Sequence, residues 1–265
     1  MTFPNRNASP STTAPVLLTG GTGTLGRHVL PLLREAGRTV RVLSRQARAS
    51  DDDGVSYVTG DLGEPGDATA AVAGTSTIVH LAGATKGDEV TTGNLVRAAV
   101  ADGGVEHIVF ISVIGADGVP LGFLRSKLAA EQAVAGSGLP YTVLRAAQFH
   151  DLALTMAKGM AKLPVVPVPG AIRLQPVDVR DVAARIAQLA LGAPAGRVPD
   201  LAGPTVYPLA DLVRSYLTAT GRRRPLLPVP LPGKAGRAYR TGANLTLDGD
   251  HGARTWEDFL AARVG

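Results

Sequence analysis

The chain has 265 residues, of which 45% are hydrophobic and 18% charged. This composition supports a substantial core and excludes a chain that is disordered throughout, and the length allows one large domain or a domain with a small lobe. There is no cysteine, which excludes a disulfide framework, a thiolate nucleophile and a cysteine-ligated metal.

The charge pattern argues against nucleic acid and membrane partners. The formal net charge is +5, but the 27 basic residues are scattered among 22 acidic ones, and the dense basic run is limited to Arg222–Arg224. No segment approaches the ~20 apolar residues that span a bilayer. Residues 1–15 are polar and lack an apolar signal region, so we predict a disordered tail on a cytoplasmic protein.

Strand-like and helix-like runs alternate from Val16 onward. The predicted strands are Val16–Thr19, Val40–Ser44, Val55–Gly60, Thr77–Ala82, His107–Ser112 and Tyr141–Arg145. The predicted helices lie near residues 24–36, 66–73, 88–102, 120–136 and 150–162. This alternation, with near-continuous apolar strands, predicts an α/β fold with a doubly wound, Rossmann-type parallel sheet.

The composition of the chain changes near residue 163, where proline-rich stretches begin. Helices are predicted near 178–191, 208–220 and 255–263, and Thr255 with Asp258 approximates a capping box at the start of the last one. We therefore divide the chain into a dinucleotide-binding core over 16–146 and a small substrate lobe over 147–265, interleaved with the end of the sheet. Pro31 lies inside the first predicted helix and should kink it.

The strongest motif follows the first strand and opens the first helix. It reads Thr19-Gly-Gly-Thr-Gly-Thr-Leu-Gly26, which fits both GxxGxxG and GxGxxG. Glycines permit a tight turn and a close approach to a pyrophosphate, whose charge the helix N-terminus favours. In a strand–loop–helix context the motif predicts dinucleotide binding. The expected contacts are Gly20, Thr22, Gly23, Thr24, Leu25 and Gly26.

The end of the second strand indicates which dinucleotide binds. An acidic residue there would bind the ribose hydroxyls of NAD, but this chain has Ser44, Arg45 and Arg48. A serine hydroxyl and two guanidinium groups suit a 2′-phosphate, so we expect NADP(H) to be preferred over NAD(H). A solvated basic turn is the alternative interpretation.

Two further strand ends should contact the cofactor, because ligands of such sheets lie outside the carboxyl ends of the strands. Asp61 and Leu62 follow the third strand and are expected to flank the adenine. Leu81, Ala82 and Gly83 end the fourth strand and are expected to line the middle of the cofactor.

These motifs resemble an atypical short-chain dehydrogenase/reductase of the NmrA-like NAD(P)H-binding group, which includes quinone oxidoreductases. The resemblance runs from Val16 to Ala262. It is carried by Thr19–Gly26, Gly60-Asp-Leu62, His80-Leu-Ala-Gly83, Ile111-Ser112, Lys127 with Glu131, Gly138–Arg145, Pro176–Val182 and Leu201-Ala-Gly-Pro204.

The resemblance also implies catalytic positions. Typical members of the wider family use a serine, and a tyrosine four residues before a lysine that holds the nicotinamide ribose. This chain keeps Ser112 and Lys127, but Phe123 occupies the tyrosine position. Because Phe123 has no proton to donate, the usual carbonyl chemistry does not carry over, and we expect Phe123 to form part of the substrate pocket.

Another group must then supply the proton. His150, just beyond the sixth strand, is the favoured candidate, with Gln148 orienting a carbonyl and Phe149 stacking on a flat substrate. A cap or surface role for His150 is the alternative. Tyr207 and Tyr239 in the lobe are weaker candidates, and the histidine spacing suggests no metal site.

The leading function is an NADPH-dependent oxidoreductase that transfers hydride to a quinone or a similar flat, conjugated carbonyl compound. Two alternatives stay open. A non-catalytic NADP(H) sensor of the NmrA type is favoured by Phe123, and a nucleotide-sugar epimerase is disfavoured by the missing tyrosine and the small lobe.

Overall fold

The computed structural model describes residues 14–50, 54–83 and 86–264. The predicted tail therefore lies outside the described residues, except for Ala14 and Pro15. The described chain divides into two compact units. The first comprises the described residues up to Ser112 with Ser126–Leu144 and Ala183–Val198, and the second comprises Val113–Arg125, Arg145–Val182 and the residues from Pro199 onward.

The elements follow the predicted alternation. The first are β1 (Val16–Thr19), α1 (Gly26–Glu35), β2 (Val40–Ser44), β3 (Val55–Thr59), α2 (Pro65–Val72), β4 (Thr77–His80), α3 (Asp88–Asp102), β5 (His107–Val113), α4 (Gly122–Ala135) and β6 (Tyr141–Ala146). They continue with α5 (His150–Met160), β7 (Val166–Pro169), β8 (Arg173–Leu174), α6 (Val179–Leu191), β9 (Gly196–Arg197), β10 (Leu201–Ala202), β11 (Tyr207–Pro208), α7 (Leu209–Ala219), β12 (Leu226–Val229), α8 (Gly233–Thr241), β13 (Asp250–His251) and α9 (Trp256–Val264).

The sheet of the first unit has the order β3-β2-β1-β4-β5-β6, with β9 beside β6. The pairs β2–β3, β1–β2, β1–β4, β4–β5 and β6–β9 are parallel. The chain thus winds outward from β1 in one direction and from β4 in the other, as predicted for a doubly wound sheet. The carboxyl ends of β1 and β4 form the switch point where such sheets bind ligands.

The strands of this unit are apolar on both faces because helices cover them. Leu17, Ile78, Ile108 and Phe110 are fully buried and pack with Leu95 of α3. Burying one such side chain stabilises the fold by about 1.5–3 kcal/mol. The core therefore fixes the strand ends on which the candidate site depends.

Helix α1 runs from Gly26 to Glu35 with Pro31 inside it. A proline within a helix removes one backbone hydrogen bond. The helix nevertheless remains one element across that position, and Val29 and Leu33 on its inner side are buried.

The second unit contains elements that the sequence did not predict. Leu201 of β10 pairs with Ala146, the last residue of β6, and β13 pairs with β10. The proline-rich stretches around Val166 and Leu226 form the parallel pair β7–β12. Proline is tolerated in so small a sheet because each strand has an unpaired edge. Among the helices of the described chain, none has the length and hydrophobicity to cross a bilayer.

The predicted capping box at the start of α9 is confirmed. The Thr255 backbone N–H donates to Asp258 Oδ2 at 3.0 Å, and the Asp258 backbone N–H donates to Thr255 Oγ1 at 3.1 Å. These reciprocal bonds satisfy two amides at the helix terminus. They fix the helix that carries the buried side chains of Trp256 and Phe259.

We predict that Thr255→Ala lowers the free energy of unfolding by about 1 kcal/mol, because one helix amide loses its acceptor. Thr255→Ser keeps the hydroxyl and should lose much less. Urea denaturation at neutral pH measures both variants, and equal losses in Ala and Ser would contradict the role of the hydroxyl.

Candidate functional site

The glycine loop after β1 lies against the backbone that follows β4. Gly20 has a φ of +68°, and a Cβ atom there would lie 2.6 Å from the Ala82 nitrogen. A Cβ on Gly26 would lie 2.2 Å from the Gly20 carbonyl oxygen. Both positions therefore require glycine, one for its conformation and both for the close approach of neighbouring backbone.

The N-terminus of α1 presents an open anion site. Thr22, Gly23 and Thr24 are exposed, whereas the side chain of Leu25 is buried and anchors the turn. Within the described chain no side chain caps this helix, and its first turn carries no acidic residue. An uncapped helix terminus with a positive dipole end favours a phosphate group.

A buried hydrogen-bond chain joins the two strand ends beneath the loop. Thr19 Oγ1 lies 2.6 Å from His80 Nδ1 and accepts the Ala82 backbone N–H at 3.2 Å. His80 Nε2 lies 3.0 Å from Thr92 Oγ1 of α3, and its ring stacks on Phe110. Burial, with a smaller contribution from the Lys127 charge, lowers the pKa of His80 to about 3. His80 is therefore a neutral link between the glycine loop and the end of β4.

The three residues expected to select the dinucleotide differ in exposure. Arg45 and Arg48 are exposed. Ser44 is buried, and its hydroxyl donates to the Gln46 carbonyl at 2.8 Å and accepts the Gln46 N–H at 3.2 Å. In this conformation the serine proton is used within the turn, so the two arginines are the groups that remain open to a 2′-phosphate.

The residues after β3 stand in two environments. Asp61 is exposed, and its Oδ1 accepts the Gly63 N–H at 2.8 Å. Leu62 packs into the core, and its carbonyl accepts a hydrogen bond from Asn94 at 2.7 Å. Of the two residues predicted beside the adenine, Leu62 therefore directs its side chain into the protein interior, and Asp61 is the one that is exposed.

Lys127 is held in place by a partner that the sequence did not indicate. Its ammonium nitrogen lies 2.9 Å from Asp88 Oδ2, with 8% of the lysine side chain and 2% of the aspartate side chain exposed. The same nitrogen lies 5.1 Å from the centre of the Phe110 ring and donates to the Ile111 carbonyl at 3.5 Å. Asp88 opens a helix 39 positions earlier, and only the packing of α3 and α4 on the sheet brings the two charges together.

Gly83 and Ser112 complete this part of the first unit. A Cβ on Gly83 would lie 3.2 Å from the Lys127 nitrogen, so the small residue leaves room beside the ammonium group. The Ser112 hydroxyl is buried and has no hydrogen-bond partner among the described residues. The glycine loop, the end of β4, Lys127 and Ser112 thus occupy the carboxyl ends of neighbouring strands.

The predicted substrate residues belong to the second unit. Phe123, one turn before Lys127 on α4, is 40% exposed. Phe149 precedes α5 and forms a parallel bridge with Val177. The Gln148 side-chain oxygen is buried and makes no hydrogen bond with a described residue.

His150 is enclosed, which excludes the surface role that the sequence left open. Its side chain is 0% exposed, and its ring lies 5.8 Å from that of Trp256 and 5.1 Å from that of Phe259. Burial lowers the pKa of His150, and Asp178, whose carboxylate is 3.9 Å from Nδ1, opposes this only in part. The ring is therefore neutral near pH 7 and lacks the solvent contact through which a proton would be replaced.

The two lobe tyrosines are poor acids. Burial and a hydrogen bond to the Glu257 carboxylate at 2.6 Å raise the pKa of Tyr207 to about 12. Burial also raises the pKa of Tyr239. In the part of the chain that the structure describes, no group of three or more His, Asp or Glu side chains is placed to hold a metal.

We predict that Gly26→Ala abolishes measurable dinucleotide binding, because the new methyl group would overlap the Gly20 carbonyl and displace the loop. Gly66→Ala is the matched control, since a Cβ there has nothing within 4 Å. Titration calorimetry with NADPH measures both variants. Retained affinity in Gly26→Ala would contradict the role of the close contact.

Comparisons with known proteins identify the family of this chain. Residues 20–190 match the model of a protein family described as NAD(P)H-binding. Quinone oxidoreductase 2 of Escherichia coli (strain K12) is 26% identical over 78% of this chain and 75% of its own length. The (4-alkanoyl-5-oxo-2,5-dihydrofuran-3-yl)methyl phosphate reductase of Streptomyces griseus is 32% identical over 78% of this chain and 74% of its own.

A solved structure extends the likeness to the fold. The E. coli NADPH-dependent quinone oxidoreductase in complex with NADPH superimposes with a TM-score of 0.81, covering 93% of this chain and 99% of that one at 21% identity. From the family match over most of its length, the chain belongs to the NAD(P)H-binding family.

Proposed function

We propose that this protein is an NADPH-dependent oxidoreductase whose acceptor is a quinone or a similar conjugated carbonyl compound. The observation that carries the proposal is the buried Lys127, paired with Asp88 at the strand ends beside Gly83. Burying a lysine with a carboxylate costs desolvation free energy. We attribute the retention of this ion pair at the strand ends to a role in binding the cofactor.

The residues of the first unit suit a dinucleotide. The glycine loop supplies a cradle that a single Cβ would fill, and the uncapped start of α1 would hold the pyrophosphate. Lys127 would hold the nicotinamide ribose, and the Ser112 hydroxyl, which has no hydrogen-bond partner in the described part of the chain, offers a donor and an acceptor. The nicotinamide cofactor, when bound, supplies hydride.

The preference for NADPH rests on charge. Arg45 and Arg48 are exposed at the end of β2, where NAD-specific chains carry an acidic residue. Guanidinium groups bind phosphate through charge-assisted hydrogen bonds. The solved quinone oxidoreductase that resembles this chain is described as NADPH-dependent.

We infer the class of acceptor from the proton donor that Phe123 does not provide. Hydride addition to a simple ketone creates a localised alkoxide, which a positioned acid must neutralise. Phe123 provides no acid, and the high pKa of Tyr207 makes it a poor substitute. Reduction of a quinone by one hydride leaves a delocalised phenolate-type anion, and one proton from solvent completes the hydroquinone.

The printed names of two relatives fit this class of acceptor. One is a quinone oxidoreductase, and the other reduces a substituted 5-oxo-2,5-dihydrofuran, a ring in which a carbon–carbon double bond is conjugated with a carbonyl group. The sequence favoured His150 as the proton source. The burial of His150 against aromatic rings favours solvent as the proton source. We assign Gln148 to orienting the acceptor and Phe149 to stacking on it.

We predict that NADPH binds more tightly than NADH and that Arg45→Ala with Arg48→Ala removes the difference. Each lost charged hydrogen bond should weaken NADPH by about 1.5–3 kcal/mol and leave NADH nearly unchanged. Arg214→Ala, an exposed arginine on α7, is the matched control. Calorimetric titration measures the wild type, the double variant and the control with each cofactor, and a parallel loss of NADH affinity would contradict a 2′-phosphate role.

We further predict that the protein oxidises NADPH with quinones and conjugated enones and at least a hundredfold more slowly with aliphatic ketones. Initial rates at fixed NADPH across a matched acceptor panel test this directly. Preference for aliphatic ketones would overturn the acceptor class. Tight NADPH binding without turnover of any acceptor would support the sensor alternative, which Phe123 favours.

A further inference from the structure

The Asp88–Lys127 pair is a buried ion pair with an unusual position. Both side chains are removed from water, and their charged atoms are 2.9 Å apart. An uncompensated charge is costly to bury, and a close counter-ion offsets part of that cost. The carboxylate of Asp88 is therefore the partner that stabilises a buried ammonium group at the strand ends.

Asp88 also decides where the ammonium group points. The Lys127 ammonium nitrogen forms an ion pair with Asp88 Oδ2 at 2.9 Å and donates a hydrogen bond to the Ile111 carbonyl at 3.5 Å. The Phe110 ring closes another side, while Gly83 leaves space because it has no side chain. A lysine has three N–H donors, and among the described residues these two contacts leave at least one of them available.

The pair has no net charge, whereas the resemblance to the wider family implies a lysine whose charge acts on a tyrosine. There a lysine lowers the pKa of a neighbouring phenol through its positive charge. This chain has Phe123 in place of that phenol, so an unbalanced charge has nothing to act on. With Asp88 beside it, Lys127 supplies a hydrogen bond, and the carboxylate 2.9 Å away offsets much of the positive charge that still contributes to the lowered pKa of His80.

We propose that Asp88 is a positioning residue for the cofactor: it holds the Lys127 ammonium group charged and directs its remaining N–H toward the nicotinamide ribose. This inference rests on the proposed function in one respect, namely that NADPH occupies the strand ends of the first unit. It also gives a reason for the acceptor class, since a neutral pair stabilises a localised alkoxide poorly.

Ionisable groups from three elements lie near Lys127. Asp88 faces it from α3, His80 interacts with its charge from β4, and Glu131 follows one turn later on α4. His80 is neutral above a pH of about 3. Glu89, adjacent to Asp88, accepts a hydrogen bond from Ser126 and so binds α3 to α4 separately.

The test compares NADPH affinity between pH 6.5 and 9 in the wild type, Asp88→Asn and Glu89→Gln by calorimetry. In Asp88→Asn we expect about a tenfold loss of affinity at pH 7 and a further loss of about fivefold or more by pH 9, because the buried ammonium group has lost its counter-ion. Glu89→Gln loosens the same helix junction without touching Lys127 and should retain the wild-type pH profile.

A second variant keeps the test decisive if Asp88→Asn does not fold. Asp88→Glu retains the charge but displaces the ammonium group, so its affinity should fall while its pH profile stays that of the wild type. The inference would be overturned by a wild-type affinity and pH profile in Asp88→Asn. It would also be overturned by a pH profile in Asp88→Glu that differs from that of the wild type. Failure of the wild type to bind NADPH would instead overturn the proposed function.

Discussion

The hydrogen bond between Thr19 and His80 is the constraint on which the candidate site depends. It joins β1 to β4 at the switch point of the sheet, where the parallel register places these two residues opposite each other. Thr19 also receives the Ala82 N–H, which brings the backbone after β4 against Gly20. Because His80 is fully buried and neutral, this junction needs no counter-charge, and the glycine loop is held before any ligand arrives.

Much of the first unit was predictable from the sequence because its signals are local. The bounds of β1, β2 and α3 agree with prediction to the residue, since apolar runs between glycine, proline and aspartate define short buried strands and the helices between them. The glycine loop was predictable for the same reason, as its glycines serve a turn within one strand–loop–helix unit. The short strands β8 to β11 were not predictable, because two residues carry no periodicity.

The parts of the site that escaped prediction depend on packing between distant elements. Nothing in the spacing of Asp88 and Lys127 indicates an ion pair, since the sheet between their two helices brings them together. His150 was interpreted as a proton donor from its place after β6. Its burial depends on Trp256 and Phe259, which lie more than a hundred residues later on a helix that a capping box holds in place.

Phe123 and the ion pair of Lys127 with Asp88 fit together physically. A phenol that donates a proton near neutral pH needs a nearby unpaired positive charge, and such a charge is costly to bury. With Phe123 at that position, an unbalanced charge would have no phenol to activate. The Asp88 carboxylate instead balances Lys127 and stabilises the buried ammonium group, which keeps its hydrogen bond to the Ile111 carbonyl. Under the proposed function, such a site would orient a cofactor but offer little stabilisation to a localised oxyanion, which is why we propose an acceptor that delocalises its own negative charge.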